Sequence, residues 1–416
     1  MSRIRIRNIG PIKEGCLEND GWLEIGKVTL LIGNQGSGKS TVAKLISTFL
    51  WMEKALARGD YPAKWFERKN KFKNQLLSYH RLENYIPAST LDDSSIEYEG
   101  RACHITFKNG DLCVTLLEKS NYSLPQIIYV PAERNFIAYV KTPKELRLSS
   151  ESLKEFITEF DEAKASIKGS ITLPLDGSNL EYDRLNDTLS LKGVDYKIKL
   201  SEASSGFQSF APLYMVSRHL ANAVAKAPGE KQSNMSSEEM QRFQKDVQEI
   251  YTNKDLTEEE RRAAISALSK RFRKTAFINI VEEPEQNLFP TSQWKMLQAL
   301  LEFNSLSADN KLIATTHSPY LVGYLGAVIQ GNLLRQIILS HPDKNALLER
   351  LDMLVSPRLD CPADSVRIYQ LDDTTGQIKA LPDYEGIPSD RNYLNEQLSE
   401  GNKLFDQLLE LEEELA

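Results

Sequence analysis

Four short runs carry the residue types needed to handle a nucleoside triphosphate. The first, Leu31-Ile-Gly-Asn-Gln-Gly-Ser-Gly-Lys-Ser-Thr41, satisfies G-x-x-x-x-G-K-[ST] from Gly33 to Ser40. The β- and γ-phosphates carry dense negative charge, which a loop holds only when several backbone N–H groups converge on one point. Gly33, Gly36 and Gly38 permit that bend, because a Cβ would obstruct both the turn and the close approach of backbone to ligand. Asn34, Gln35, Gly36, Ser37, Gly38, Lys39, Ser40 and Thr41 are therefore the candidate ATP-binding residues. Lys39 is placed to reach the β- and γ-phosphates and Ser40 to ligate Mg²⁺, while a helix from Thr41 to Met52 points its positive end at the anion.

The second run is Glu282-Glu283-Pro-Glu285, directly after apolar Phe277–Val281. Two carboxylates at a strand end suit phosphoryl transfer: Glu282 is assigned to the metal, and Glu283 to orienting and deprotonating the attacking water. The third is His317-Ser-Pro319, after apolar Leu312–Thr316. A neutral imidazole there can hydrogen-bond the γ-phosphate and report its presence. The fourth is Ser204-Ser-Gly206, a hydroxyl-rich turn before a helical pattern, which presents free N–H groups to an anion. Taken alone it is also an ordinary helix cap.

These residues need a scaffold, and the apolar runs supply one. Val28–Ile32, Phe277–Val281 and Leu312–Thr316 each predict a buried strand with its chemistry at the C-terminal tip. Arg3-Ile-Arg-Ile-Arg7 alternates with the period of a half-buried strand, and Trp22–Ile25 is its expected antiparallel partner. Asn109-Gly110 between alternating runs predicts a hairpin. Gln126–Val130 predicts another buried strand, after which Glu133 or Arg134 either lines the pocket or forms a salt-bridged loop. Residues 151–165 suggest a helix, and 171–200 show strand alternation with turns at Asp176-Gly177 and Lys192-Gly193.

Between residues 58 and 73, cations and rings interleave, as in Lys64-Trp-Phe66 and Lys71-Phe-Lys73. Such a stretch can bind nucleic acid or an acidic protein, or be a solvated surface with its rings packed inward. Residues 223–274 are charge-rich and helical, with capping-box spacing at Ser236/Glu239 and Thr257/Glu260 and an apolar stripe through Met240, Phe243, Val247 and Ile250. Self-association or partner contact suits them better than chemistry. Asp372-Asp-Thr-Thr-Gly376 suggests a hairpin turn, and residues 385–416 end in an acidic helix with Leu404, Leu408, Leu409 and Leu411 on offer.

With 416 residues the chain exceeds one ordinary core, so a large fold with insertions or two domains is expected. A net charge of −7 argues against a protein coated in nucleic acid, though it allows a local basic patch. Cys16, Cys103, Cys113 and Cys361 form no C-x-x-C pair, so neither a zinc site nor a disulfide framework is indicated. No run approaches a membrane span or a signal-peptide core, so no membrane partner and a cytoplasmic protein are expected.

The ordered set Gly33–Thr41, Ser204–Ser209, Val281–Pro290 and Thr315–Pro319 resembles the ABC-type ATPases of the overcoming-lysogenization-defect group, with more distant likeness to the Rad and SMC chromosome proteins. Glu282-Glu-Pro-Glu-Gln-Asn-Leu-Phe-Pro290, Pro131-Ala-Glu-Arg-Asn135 and Thr315-Thr-His-Ser-Pro319 look like the ATPases of bacterial anti-phage systems, and the size and N-terminal layout of the chain, with any nuclease on a separate chain, look like the PARIS type. Two positions depart from the pattern: the usual Leu-Ser-Gly-Gly-Gln is Ser204-Ser-Gly-Phe-Gln208, and the usual Walker B aspartate is Glu282. The resemblance implies an α/β ATPase head with a RecA-like core sheet, an antiparallel β lobe, a helical lobe and a helical insertion. It divides the chain into head residues 1–222, insertion 223–274, head residues 275–325 and a C-terminal extension 326–416. It also implies a homo-oligomer whose heads sandwich ATP, with Ser205 and Gly206 docking on the γ-phosphate held by the other protomer. Relatives hold a separate Toprim nuclease subunit and release it on meeting a viral trigger protein, for which the basic stretch is a candidate contact. A DNA-clamping ATPase of repair or chromosome maintenance is the alternative, and the ATPase half of a transporter a third reading.

Overall fold

In a computed structural model of the chain, the described residues are 2–118, 122–140, 146–225, 235, 237–253, 256–341, 344 and 346–414. Ser236, half of one expected capping box, lies outside them. The fold is α/β, built around a seven-stranded sheet ordered Gly15–Cys16, Gln377–Ala380, Val366–Leu371, Val28–Gly33, Lys311–Thr316, Ala276–Glu282 and Pro125–Val130. The five strands from Val366–Leu371 to Pro125–Val130 run parallel. Parallel strands are covered on both faces, and Val28–Gly33, Ala276–Glu282 and Pro125–Val130 are accordingly buried at every position.

Register fixes where the chemistry falls. Glu282 pairs with Thr315, and Thr315 and Thr316 pair with Leu31 and Ile32, so the three predicted tips emerge side by side. Open parallel sheets place their ligands at this carboxyl edge.

A five-stranded antiparallel sheet packs over the core sheet, ordered Trp22–Ile25, Ser2–Arg7, Ser95–Glu99, Cys103–Lys108 and Asp111–Leu116. Its inner face carries Ile4, Ile6, Ile96, Tyr98, Ile105 and Phe107, while Arg3 and Arg5 meet Glu99 and Glu97 directly across strands at 2.7 Å. The expected Asn109-Gly110 turn closes the last hairpin with both residues at positive φ.

The helix Lys39–Arg58 lies between the two sheets, which is why it is buried nearly all round, its polar residues included. Leu45, Ile46, Phe49 and Leu50 are each at most 2% exposed, and burial of each contributes about 1.5–3 kcal/mol. Gly59, at φ +77°, ends the helix by donating its N–H to Ala55 and Leu56 carbonyls.

On the opposite face of the core sheet, the helices Glu151–Ala165, Ser205–Ala225, Pro290–Ser305 and Pro319–Leu339 form the second core, capped by a four-stranded antiparallel sheet from Ser170–Thr172 to Lys197–Lys199. The insertion is a pair of helices, Ser237–Thr252 and Glu258–Phe272, and Thr257 and Glu260 exchange the capping-box hydrogen bonds expected of them. The basic, aromatic stretch turns Phe66 and Phe72 inward and stacks Tyr61 on Trp65, with the Lys71 ammonium 3.7 Å from the Trp65 ring.

Residues 326–416 are not an appended extension, which corrects the division at residue 326. Val366–Leu371 pairs in parallel with the phosphate-loop strand along its whole length, and Gln377–Ala380 continues the sheet beyond it. The turn between them is the one expected: Asp372 Oδ1 accepts from Thr374 and Thr375 N–H groups, with Gly376 at φ +67°. Among the described residues of this segment, the helix Tyr393–Glu414 stands out, with its side chains exposed after Leu394 apart from a half-buried Asn395.

Candidate nucleotide site

The loop after Val28–Gly33 turns through Gly36 at φ +80° and Gly38 at φ +98°. A Cβ on Gly38 would lie 2.5 Å from Ile12 Cδ1, whereas one on Gly36 would meet nothing within 4 Å. One glycine packs the loop on the protein and the other leaves its open side free for a ligand. Asn34 and Gln35 stand exposed at the crest, where the Asn34 side chain accepts from the Gln35 N–H and donates to Asp373 at 3.2 Å. The hairpin of Asp372–Gly376 thus braces the loop from a segment 339 residues downstream. Ser37 Oγ is buried without a hydrogen-bond partner and Ser40 opens the first turn of the helix.

Lys39 donates to the Gly33 and Asn34 carbonyls at 2.9 and 2.7 Å, and its Nζ lies 3.5 Å from His317 Nδ1. Burial pushes the amine down to about 8, against the pull of Glu283, Glu285 and Asp373. His317 Nε2 in turn stands 3.4 Å from Glu283 Oε1, and this contact, ahead of burial, holds the Glu283 carboxyl below its ordinary range. Lys39, His317 and Glu283, 278 residues apart at their extremes, therefore form one connected group.

Glu282 points to the neighbouring side. Its Oε2 accepts from the Ala132 N–H at 3.2 Å, and its Oε1 lies 3.9 Å from Lys44 Nζ, one helical turn beyond Ser40. Glu283 adopts φ +43°, a left-handed conformation that costs a side-chain-bearing residue about 1–2 kcal/mol. Its N–H donates to Thr315 O at 3.0 Å and its carbonyl accepts from Arg134 at 2.7 Å, so the surroundings hold it there.

Arg134 settles one open alternative. Fully buried, it donates to the carbonyls of Glu282, Glu283, Ser209 and Pro131, tying the acidic tip to the helix Ser205–Ala225. It is a strut behind the site and not a lining residue, while Glu133 is exposed and faces Arg81 at 3.5 Å. Glu285, to which the sequence assigned no role, accepts from Thr316 Oγ1 and the His317 N–H at 2.7 and 2.8 Å, fixing the strand tip that carries the histidine.

Ser205 and Gly206 begin the helix Ser205–Ala225 as expected and are not buried. Gly206 abuts Asn287, whose side chain donates to Ser209 Oγ at 2.9 Å. Among the described residues, no hydrogen bond joins them to the Lys39–His317–Glu283 group. A second feature absent from the sequence reading is a hollow beside Gly36, lined by Asn8, Pro11, Lys13, Asn84 and Tyr85. Nothing in their spacing announces it, because two distant turns create it.

Residues 115–322, half of the chain, match the AAA ATPase domain family. The chain is similar to the SMC head domain from Thermotoga maritima, at 11% identity over 92% of this chain and 98% of that one, with a TM-score of 0.35. The Smc head domain with an extended coiled coil from Pyrococcus furiosus, solved bound to the C-terminal domain of ScpA, gives 11% identity, 98% and 100% coverage, and a TM-score of 0.35. A dimeric bacterial ABC transporter cassette gives 10%, 92% and 100%, and 0.22. No curated protein matches the chain.

Proposed function

The chain belongs to the AAA ATPase domain family, and from that premise we propose that it binds ATP with Mg²⁺ on the Gly33–Ser40 loop and hydrolyses it. The observation that carries this reading is the connected group Lys39–His317–Glu283 at the aligned tips of neighbouring parallel strands. The residues fit the ligand: the open side of Gly36 leaves room for phosphate, and the buried, unpartnered Ser37 hydroxyl and the Lys39 ammonium supply donors. Ser40 and Glu282 would hold Mg²⁺, which supplies charge neutralisation at the β- and γ-phosphate oxygens. Glu283, kept ionised by His317, takes the proton of the attacking water. His317 donates to the γ-phosphate, and the hollow beside Gly36 takes the base against Tyr85.

On the finer level, the protein is an ABC-type switch. Its heads pair across ATP through Ser205 and Gly206, whose exposure at a helix N-terminus supports that role. The resemblance of Val281–Pro290 and Thr315–Pro319 supports a cytoplasmic subunit of an anti-phage complex that senses a viral protein and governs a separate Toprim nuclease. Among the described residues, no helix is long and apolar enough to cross a membrane.

Phosphate release and nucleotide retention test the reading together. Lys39→Ala is expected to lose nucleotide binding, and Glu283→Gln to retain bound ATP while turnover falls about 10²–10⁴-fold. Unchanged turnover in both variants would overturn the assignment.

A further inference from the structure

Two apolar faces lie uncovered after residue 318, away from the nucleotide site. The first belongs to the helix Tyr393–Glu414. Leu394, Leu398, Gly401, Phe405 and Leu408 recur at alternating four- and three-residue spacing, the period of a seam between helices. Leu394 is buried against the head, but Leu398, Phe405 and Leu408 are each more than half exposed. Gly401 lies among them, and a Cβ there would meet nothing within 4 Å, so the head gives no reason for a residue that weakens helix interiors. Leu404, Leu409 and Leu411, exposed on either flank, widen the face beyond the stripe that one partner helix covers.

The second face spans the seam between the helices Pro319–Leu339 and Ala346–Leu354. They run antiparallel: Gly331 abuts Val355, while Arg335, about one turn later, donates to Asp352 and to the Val355 carbonyl. With those residues at the contact, the helical period turns Leu334 and Ile337 of the first helix and Leu347 and Leu354 of the second to the same side, one pair on each side of the seam. All four are exposed, Leu354 by 72%. Arg350 stands between Leu347 and Leu354, three residues after one and four before the other, so it shares their face. Among the described residues it has no ion pair. A contiguous exposed apolar patch of this kind marks an interaction surface.

The helix Tyr393–Glu414 is a poor partner for its own copy. Its seam covers about two heptads, short of the roughly three to four that mark a coiled coil, and its width would leave the flanking leucines wet. It also carries seven carboxylates, Glu396, Glu400, Asp406, Glu410, Glu412, Glu413 and Glu414, against Lys403 alone, so two copies side by side would repel. A face too wide for one helix fits the seam of a helix pair, and an acidic flank fits an arginine that lacks a counter-ion. We propose that the helix Tyr393–Glu414 of one copy lies along the seam between Pro319–Leu339 and Ala346–Leu354 of a second copy, with Gly401 admitting a large side chain of that seam and the acidic flank meeting Arg350. Each copy gives a helix and receives one. The contact needs no nucleotide and is independent of any pairing of heads across ATP.

The test is sedimentation velocity of the full chain without nucleotide, in the unchanged protein and in Lys39→Ala, which separates this contact from the nucleotide reading. Both are expected to associate to at least twice the mass of one chain. Leu404→Asp/Leu408→Asp, on the helix, and Ile337→Asp/Leu354→Asp, on the seam, each weaken association at least about tenfold, and Arg350→Glu weakens it measurably. All five positions are exposed, so helix content and melting temperature stay those of the unchanged protein. Mixing the two double variants restores association, because one supplies an intact seam and the other an intact helix. A chain that is monomeric without nucleotide overturns the proposal, as does association that survives either double variant. Persistence in Ile337→Asp/Leu354→Asp alone would show the helices pairing with each other. A mixture that stays monomeric, from variants that keep their helix content, overturns it as well.

Discussion

The two ends of the helix Lys39–Arg58 carry charge in opposite ways. At its N-terminus, Lys39 bonds to carbonyls of its own loop, and its anionic neighbour Glu283 reaches it only through His317. At its C-terminus, Arg58 and Lys54 are locked with Asp60, Glu239 and Lys274 into a buried network that satisfies itself. The first end keeps charge available for a ligand and accepts local strain at Glu283. The second spends charge on fastening the insertion, through Glu239 of the helix Ser237–Thr252, to the head. A ligand site and a structural joint can share one helix because desolvated charge is costly only where it lacks a partner.

The sharpest test of that contrast is Glu239→Ala, which removes the buried carboxylate that Lys54, Arg58 and Lys274 share. It is expected to cost about 3–5 kcal/mol of stability in denaturant titration, with turnover per folded molecule little changed. A loss of turnover at unchanged stability would reverse the roles of the two ends. Lys39→Ala should do the opposite, abolishing nucleotide binding while thermal unfolding shifts by no more than about 1 kcal/mol, because burial already disfavours that ammonium. Marked destabilisation there would make Lys39 a structural residue.

The smallest effect concerns Glu159, whose folded pKa is raised by burial, by Glu162 and by Glu155, against Lys274. A carboxyl raised from 4.5 to about 7 retains a proton that the unfolded chain releases, so stability falls as pH rises from about 4.5 to 7 and stays lowered above. Glu159→Gln is therefore expected to raise the melting temperature at pH 8 and to leave it near that of the unchanged protein at pH 4. Equal shifts at both values would show that the buried charge is not the cause.

What the sequence determined by itself is everything encoded by short range. The phosphate loop, the acidic tip and the histidine tip could be read because each follows a mainly apolar run free of charged residues, the mark of a strand buried on both faces. The Asn109-Gly110 hairpin, the Thr257 cap and the Asp372–Gly376 turn were legible because their geometry depends on a few adjacent residues. Only the tertiary structure decided that Val366–Leu371 joins the core sheet. Its polar Arg367 and Gln370 break the apolar signal, since Arg367 is satisfied by Glu24 and Gln370 by the Tyr393 N–H, partners that no local pattern reveals. The same holds for Arg134, which resembles a loop cation until its three most distant carbonyl partners converge on it, and for the hollow beside Gly36, whose walls come from separate stretches of chain. Periodicity reports which face a residue turns inward; it carries no information about which distant group waits there to meet it.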